Sequence, residues 1–333
     1  MKRFTLLCSA LLLAAAAAPV RAEVDEITVA QQYGVSFLPL MLMEHRQLVE
    51  DRARALGIKV KANWVKVAGP SVMNDGLLSE TIHFAAQGAP SLITLWDKTR
   101  SGVGVRGIAA LTTYPLYLVS RNPVVRSIKD FSDKDRIAVP SVKISTQAIM
   151  LEMAAAQVWG DKEYGKLDSL TVSLSHPDAV LALTNNTGGV NAHFATSPFY
   201  EQEMKLTDAH LVTTNYEILG GPATALLVTT TSKFRLANPN VARAFYEAMK
   251  LAVTIINNDK KAAAQLYLEL ANDRKNSVDD ILAMISDKDY AFTLQPQKVL
   301  KTAEFMAKIG SIKQAPQLIG DLFFPEMLPA GGD

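Results

Sequence analysis

The chain has 333 residues, 49% of them hydrophobic and 20% charged, with 34 Lys and Arg against 33 Asp and Glu. A formal net charge of +1 provides no long-range attraction for nucleic acid or for an anionic membrane, so we expect neither partner. At this length two domains are expected, each large enough to bury its own hydrophobic core.

The first 22 residues predict a secretory signal peptide. A basic start, Met1 to Arg3, is followed by an almost entirely apolar stretch over residues 4–18, and small residues precede a predicted cleavage after Ala22. The segment is too short for a membrane span. We therefore expect export to the periplasm.

Loss of this segment changes the composition in two ways. Three basic residues (Lys2, Arg3 and Arg21) and no acidic one lie within it, so residues 23–333 carry a net charge of −2. Cys8, the one cysteine of the chain, is lost as well. The exported chain then has no thiol nucleophile, no cysteine metal site and no disulfide.

Short apolar runs alternate with longer segments of helical period, which predicts an α/β fold. Up to residue 119 the predicted strands are 26–30, 59–67, 82–86, 91–95, 105–112 and 116–119. The predicted helices are 37–56, ended by Gly57, and a second helix that ends at residue 78 and is capped by Ser71.

The same alternation continues beyond residue 135. The predicted strands are 135–139, 170–174, 190–195, 209–213 and 224–230, and the predicted helices are 145–159, capped by Ser145, and 175–184. From Asn238-Pro239 to Gly310 the chain is predicted to be helical, with further helix starts at Ser277 and Pro296.

Two extended segments, near 112–118 and 222–228, bracket one complete α/β unit. The chain is therefore expected to leave a first lobe, build a second and return, which places 23–114 and 223–333 in lobe 1 and 115–222 in lobe 2. Two crossings between two lobes indicate a cleft that closes by hinge motion. The alternative, two independent domains in series, would need a single Pro-, Gly- or Ser-rich linker, and the sequence contains none.

Catalytic motifs are absent from residues 23–333: there is no G-x-S-x-G, H-E-x-x-H or S-x-x-K. The five histidines are scattered and are interpreted as surface or core residues rather than ligands. Residues 102–107 fit G-x-G-x-x-G, but a predicted strand follows where a dinucleotide site needs a helix, so we assign a turn. We expect no metal and no cofactor.

Small polar residues and glycines recur where strands end, which is where open α/β sheets bind ligands against helix N-termini. The alternative is that they are ordinary loop and cap residues. The candidate ligand-binding residues are Gln31, Gln32, Tyr33, Gly69, Ser71, Gly88, Ala89, Pro90, Trp96, Thr112, Thr113, Tyr114, Ser145, Thr146, Gln147, Thr196 and Ser197. Of these, Ser71, Ser145 and Thr146 are expected to donate their hydroxyls to an anion.

From about residue 26 to 325 the sequence resembles the periplasmic solute-binding proteins of ABC importers for nitrate, sulfonate and taurine, which are related to thiamine-pyrimidine precursor-binding proteins. The resemblance is carried by 64–71, 75–79, 82–84, 88–90, 129–131, 136–140, 178–183 and 191–199. It implies a type II periplasmic binding protein fold. Its ligand loops correspond to 31–34, 69–71, 88–90, 112–114, 145–147 and 196–198.

The resemblance implies a monomeric receptor that delivers a solute to an ABC permease and its ATPase. Two alternatives share the fold: a sensor, and an enzyme like the pyrimidine synthases, which use a cysteine-rich segment and a pyridoxal lysine. The absence of cysteine disfavours the enzyme.

The side chains of the predicted cleft suit a weakly hydrated oxyanion on an organic body. The rings of Tyr33, Trp96 and Tyr114 would cover that body, and no arginine lies in a predicted ligand loop. A sulfonate fits first, a carboxylate nearly as well and nitrate less well. Asp97 could bind an ammonium group of the ligand. The alternative is that Asp97 is an exposed loop residue.

Overall fold

The computed structural model describes residues 22–329. The predicted signal peptide lies outside these residues apart from Ala22. The strands are β1 Glu26–Gln31, β2 Lys61–Lys66, β3 Phe84–Gln87, β4 Val105–Thr113, β5 Tyr117–Ser120, β6 Ile137–Val139, β7 Thr171–Ser173, β8 Ala192–Ala195, β9 His210–Thr214, β10 Thr224–Thr231 and β11 Ala291–Phe292.

Helices cover the faces of both sheets. They are α1 Leu38–His45, α2 Leu48–Ala55, α3 Pro70–Leu78, α4 Ala89–Thr99, α5 Thr146–Trp159, α6 His176–Asn185, α7 Phe199–Glu203, α8 Asn215–Leu219, α9 Ser232–Ala237, α10 Pro239–Asn258, α11 Lys260–Ala271, α12 Val278–Ser286, α13 Val299–Lys308 and α14 Ile319–Leu322. Within the described part of the chain, none of these helices combines the length and apolar character of a membrane span.

The strands form two sheets, which confirms the predicted α/β fold of two lobes. One sheet has the order β11-β4-β10-β3-β1-β2 and the other the order β7-β6-β8-β5-β9. We call the part built on the six-stranded sheet lobe 1 and the part built on the five-stranded sheet lobe 2. The chain crosses between them twice, from β4 to β5 and from β9 to β10, so two independent domains in series are excluded.

The two crossings run side by side. β4 pairs with β10 antiparallel in lobe 1, and β5 pairs with β9 antiparallel in lobe 2. In lobe 1, β1 pairs parallel with β2 and with β3, so these three strands end at the same edge of the sheet. That edge faces lobe 2.

Buried apolar side chains hold lobe 1 together. In its core the ring of Phe84 on β3 stacks on the ring of Phe245 on α10 with centroids 4.0 Å apart, and both residues are fully buried. α10 begins with Pro239 in its first turn, as predicted, and buries a continuous apolar face. The core therefore fixes the strand ends that face the cleft.

One predicted strand is wrong. Residues 91–95 lie inside α4, which starts after Gly88 with Pro90 in its first turn. This helix is buried on most of its surface, so its apolar run Leu92, Ile93 and Leu95 has no exposed side to reveal a helical period.

Three predicted helix boundaries are also wrong. The helix over 37–56 is two helices, since Gln47 has a left-handed φ of 52°. Ser71 does not cap α3, because it lies inside the helix. The cap position is occupied by Gly69, which has no side chain to accept a hydrogen bond. α13 begins at Val299 and not at Pro296, after Lys298 at a φ of 55°. The predicted caps Ser145 and Ser277 are confirmed, each accepting a backbone N–H.

Candidate ligand cleft between the lobes

A small cavity lies between the two lobes where strands of both end. Its volume is about 30 Å³, enough for one or two water molecules. It is lined by Gln32, Phe37, Pro70, Gly88, Tyr114, Leu116, Pro140, Ser145, Thr146, Gln147, His176, Thr196, Ala225 and Leu226. Seven of the candidate residues thus meet here: Gln32, Gly88, Tyr114, Ser145, Thr146, Gln147 and Thr196.

Four helix N-termini reach this cavity, two from each lobe. α3 and α4 arrive through Pro70 and Gly88, and α5 and α6 arrive through Ser145 and His176. Each terminus carries backbone N–H groups without an intrahelical partner and the positive end of a helix dipole. The lining residues include no Lys, Arg, Asp or Glu. The cavity is therefore electropositive without any formal charge.

Glycines allow the lobes to approach at backbone distance around the cavity. A Cβ on Gly69 would lie 2.3 Å from the Pro140 carbonyl oxygen, and a Cβ on Gly88 would lie 1.9 Å from Thr146 Oγ1. Gly34 lies less close, since a Cβ there would be 3.1 Å from the Ser197 carbonyl oxygen, and the next residue, Val35, donates its N–H to the same carbonyl at 3.3 Å. The lobes are closed against one another in this conformation.

The three predicted hydroxyl donors differ in what they contact. Ser145 Oγ donates to the Ser141 carbonyl at 2.7 Å and accepts from Ala148 N–H at 3.3 Å, so its proton is already committed. Ser71 is in α3 and contacts lobe 2 through its backbone N–H, 3.4 Å from Ser141 Oγ. Thr146 lines the cavity, and its hydroxyl forms no hydrogen bond to a described residue. Thr146 is thus the hydroxyl free to meet a ligand.

Further hydroxyls are buried beside the cavity. Burial raises the pKa of Tyr114, and the nearby hydroxyls of Ser36 and Thr196 oppose the rise. Ser36 Oγ and Thr196 Oγ1 are themselves buried without hydrogen-bond geometry to any described residue. Unpaired buried hydroxyls are costly, so a ligand that used them would recover free energy.

Other candidate residues lie around the cavity without lining it. Gln31 is buried in β1 and donates to Glu44 Oε2 at 3.2 Å. Ser197 donates its hydroxyl to Glu201 at 2.7 Å. Thr112 and Thr113 are buried in β4. Ala89 and Pro90 form the first turn of α4.

Trp96 lies outside the cleft, because the segment before it is helix and not strand. It is buried two turns along α4 with the Arg100 guanidinium 4.5 Å from its ring. Asp97 pairs with the same arginine at 2.6 Å and accepts the Lys313 N–H at 3.1 Å. The interpretations of Trp96 as a ligand-covering ring and Asp97 as an ammonium site are therefore not supported.

A second, larger pocket adjoins the cavity and shares Gln32 with it. Its volume is about 400 Å³, and both lobes contribute to it. Tyr33, Phe199 and Tyr267 supply aromatic surface. Its cationic residues, which the sequence analysis did not single out, are Lys66, Arg274 and Lys275.

A buried chain of hydrogen bonds leads from the cavity into lobe 2, and sequence analysis missed it. His176 Nδ1 lies 2.8 Å from His193 Nε2, and His193 Nδ1 lies 2.5 Å from Glu203 Oε1. Burial lowers the pKa of His193 to about 3, lowers that of His176 and raises that of Glu203. Both imidazoles are therefore neutral. No described group of three or more His, Asp or Glu is arranged to hold a metal.

Two α/β lobes joined by two crossings around such a cleft define the periplasmic binding protein fold. Solved structures with this fold align with nearly the whole chain. The alkanesulfonate-binding protein of Xanthomonas axonopodis pv. citri, solved with MOPS, is 15% identical over 92% of this chain and 99% of its own, with a TM-score of 0.68.

Two further structures bind related anions according to their descriptions. The periplasmic aliphatic sulphonate-binding protein of Escherichia coli is 14% identical over 91% of this chain and 100% of its own, with a TM-score of 0.63. The periplasmic nitrate-binding protein of Synechocystis is 15% identical over 86% and 81%, with a TM-score of 0.58. No protein-family profile and no curated protein matches the chain. These identities establish the fold, and the function has to be argued from the site.

Proposed function

We propose that this protein is an exported, non-catalytic receptor that binds a small organic oxyanion between its lobes and delivers it to an ABC-type permease. The observation that carries the proposal is the convergence of four helix N-termini on a cavity without charged side chains. Such termini bind anions through backbone N–H groups and aligned dipoles.

The anionic group would occupy the cavity at the helix N-termini. At about 30 Å³ the cavity is smaller than a sulfonate or carboxylate group, so the lobes would separate to admit it and close around it. Thr146 would donate its hydroxyl, and Ser36 and Thr196 would gain the partner that they lack in the closed form. The two crossings would act as the hinges.

The organic body would extend past Gln32 into the adjoining pocket of about 400 Å³. Tyr33, Phe199 and Tyr267 would cover its apolar part. Sulfonates remain the first choice, in line with the ligand class named for two of the similar structures. The predicted signal peptide supports a periplasmic location, where such a receptor meets its permease.

The ligand class can be tested by differential scanning fluorimetry of the protein after removal of the leader. Alkyl and aryl sulfonates, organic carboxylates, nitrate and uncharged pyrimidines form the panel. A ligand at a hundred times its Kd stabilises the folded state by about 2.7 kcal/mol, so sulfonates should raise the melting temperature. A rise of the melting temperature with pyrimidines alone would refute the proposal that the ligand is an oxyanion. No rise with any compound of the panel would refute the proposal that the protein is a receptor for these solutes.

The Thr146 hydroxyl provides a narrower prediction. Thr146→Ala should weaken sulfonate binding by roughly tenfold, since one hydrogen bond to a charged group contributes about 1.5 kcal/mol or more. Thr146→Ser should keep the affinity. Ser145→Ala should instead lower stability by about 1 kcal/mol, because it removes an N-cap. Isothermal titration and thermal unfolding separate the two effects; equal affinity in wild type and Thr146→Ala would exclude the hydroxyl from the site.

A further inference from the structure

The three residues of the buried chain, Glu203, His193 and His176, form what we call the relay. It starts in α7, passes through β8 and ends at the first residue of α6, on the wall of the cavity. Glu203 and His193 have no solvent-exposed side-chain surface, and His176 is 5% exposed. The ring of Phe199 stacks on the ring of His176, with centroids 5.6 Å apart. The relay is thus shielded from bulk solvent at Glu203 and His193 and reaches the cavity only at His176.

Two proton arrangements satisfy both hydrogen bonds with neutral imidazoles. With Glu203 ionised, His193 donates from Nδ1 to the carboxylate, His176 donates from Nδ1 to His193, and His176 Nε2 presents a lone pair. With Glu203 protonated, the carboxyl donates to His193 Nδ1, His193 donates from Nε2, and His176 Nε2 carries a hydrogen. One proton on Glu203 therefore decides whether the far end of the relay is an acceptor or a donor.

Surroundings favour the protonated form of Glu203. Its second oxygen, Oε2, is buried with no partner among the described residues. An ionised carboxylate in that position would be desolvated without compensation, whereas a carboxylic acid needs only its one bond to His193. The Gln147 amide nitrogen lies 3.4 Å from His176 Nε2 and in this position would donate to a lone pair there. With hydrogen on Nε2, the Gln147 amide has to turn over in the unliganded protein, so that its carbonyl oxygen accepts from His176. A bound oxyanion replaces that oxygen as the acceptor, and the Gln147 amide nitrogen can then donate to the same anion.

We propose that the relay makes His176 a specificity-determining donor, whose Nε2–H binds one oxygen of the oxyanion while Glu203 holds the proton that fixes this tautomer. The inference rests on the proposed function. It adds that selection of an anion is coupled to protonation of a carboxyl group two residues further along the relay. A ligand that donated a hydrogen bond here would instead require Glu203 to be ionised.

Few other charged groups face the relay. On α7, Glu201 accepts the Ser197 hydroxyl, and on α6, Asp178 accepts the Ser175 hydroxyl at 2.5 Å. β5, which packs on α7, contributes Tyr117, stacked on Tyr200. The β6 strand and the turn at Thr187–Gly189 bring no titratable side chain. Burial raises the pKa of Glu201; its hydrogen bond from Ser197 opposes the rise, and the charge of Glu203 adds to it. No described Lys or Arg is hydrogen-bonded to the relay.

Coupling to a proton gives the relay a measurable signature. Affinity for methanesulfonate should fall by up to tenfold for each pH unit above the titration of Glu203, because binding then requires uptake of one proton. Glu203→Gln should bind at a pH-independent affinity, since its amide donates to His193 without any proton uptake. His176→Phe should weaken binding about tenfold. His45→Gln, at an exposed histidine, is the matched control and should leave both affinity and pH dependence unchanged.

Nitrogen-detected NMR of imidazoles tests the tautomers directly in the unmodified chain. In the methanesulfonate complex both His176 and His193 should be neutral with hydrogen on Nε2. Hydrogen on His176 Nδ1, a charged imidazolium, or a pH dependence that persists in Glu203→Gln would overturn the relay. If the wild-type protein binds methanesulfonate but His176 or His193 has the other tautomer, the relay proposal is refuted and the proposed receptor function stands. If the wild-type protein binds no anion of the panel, both the proposed receptor function and the relay proposal are refuted.

Discussion

Gly69→Leu is expected to weaken sulfonate binding by at least a hundredfold while leaving the unliganded protein folded. The backbone of Gly69 has φ −168°, an extended conformation open to any residue, and the cap position carries no side-chain bond. A Cβ there would lie 2.3 Å from the Pro140 carbonyl of lobe 2. A leucine would therefore hold the lobes apart, and the anion would lose the N–H donors of one lobe.

The expected loss follows from the donors involved. Two hydrogen bonds to a charged group contribute about 3 kcal/mol or more, which corresponds to at least two factors of ten in Kd. Small-angle scattering should show a larger radius of gyration than wild type and no compaction on adding sulfonate. Gly102→Leu is the control, since its Cβ has only the Thr99 carbonyl within 4 Å, at 3.8 Å. Unchanged affinity in Gly69→Leu would contradict closure of the lobes on the ligand.

Glu152→Gln is expected to stabilise the protein at pH 8.5 by roughly 4 kcal/mol. Glu152 is 4% exposed on α5, and its Oε2 has no partner among the described residues. Burial, with the charge of Asp168 adding to it and Lys143 opposing it, raises the pKa of Glu152 to about 8. The cost of ionising this carboxyl is therefore paid by the folded state alone.

The direction of the pH dependence follows from where the proton is held. The unfolded chain releases it near the ordinary value of 4.5, whereas the folded chain keeps it up to about pH 8. Between these values the folded state binds more protons, so wild-type stability should fall as pH rises. Urea unfolding at pH 5.5 and 8.5 measures this. Glu163→Gln, at an exposed glutamate on the segment packed against α5, should show wild-type pH dependence. An equal slope in Glu152→Gln would contradict the assignment.

The sequence predicted those parts of the fold that local signals encode. Ser145 and Ser277 cap their helices because a side-chain oxygen before a helical period is a local signal. The alternation of strands with helices, together with two long extended segments, sufficed to predict two lobes and two crossings. The polar strand ends at Gln32 and Gly88 meet because β1 and β3 are parallel and end at one edge of the lobe 1 sheet, and Thr146 of lobe 2 joins them because the two lobes are closed against one another.

The wrong or missing predictions have two physical causes, burial and distance along the chain. α4 is so deeply buried that its apolar residues show no helical period, so the segment was predicted as a strand and Trp96 was wrongly assigned to the cleft. The relay joins His176, His193 and Glu203 from three separate elements, with no spacing that marks them as neighbours. Lys66 and Arg274 share a pocket although 208 positions separate them. Only the folded chain brings such residues together.

The glycine-lined contact of the lobes has a consequence for how long a ligand stays bound. An anion enclosed behind Gly34, Gly69 and Gly88 would have no path out until the lobes separate. Residence time would then be set by the opening rate of the protein, and chemically different anions would leave by the same motion. If the proposed permease separates the lobes, it would therefore release the bound anion without having to recognise that anion itself.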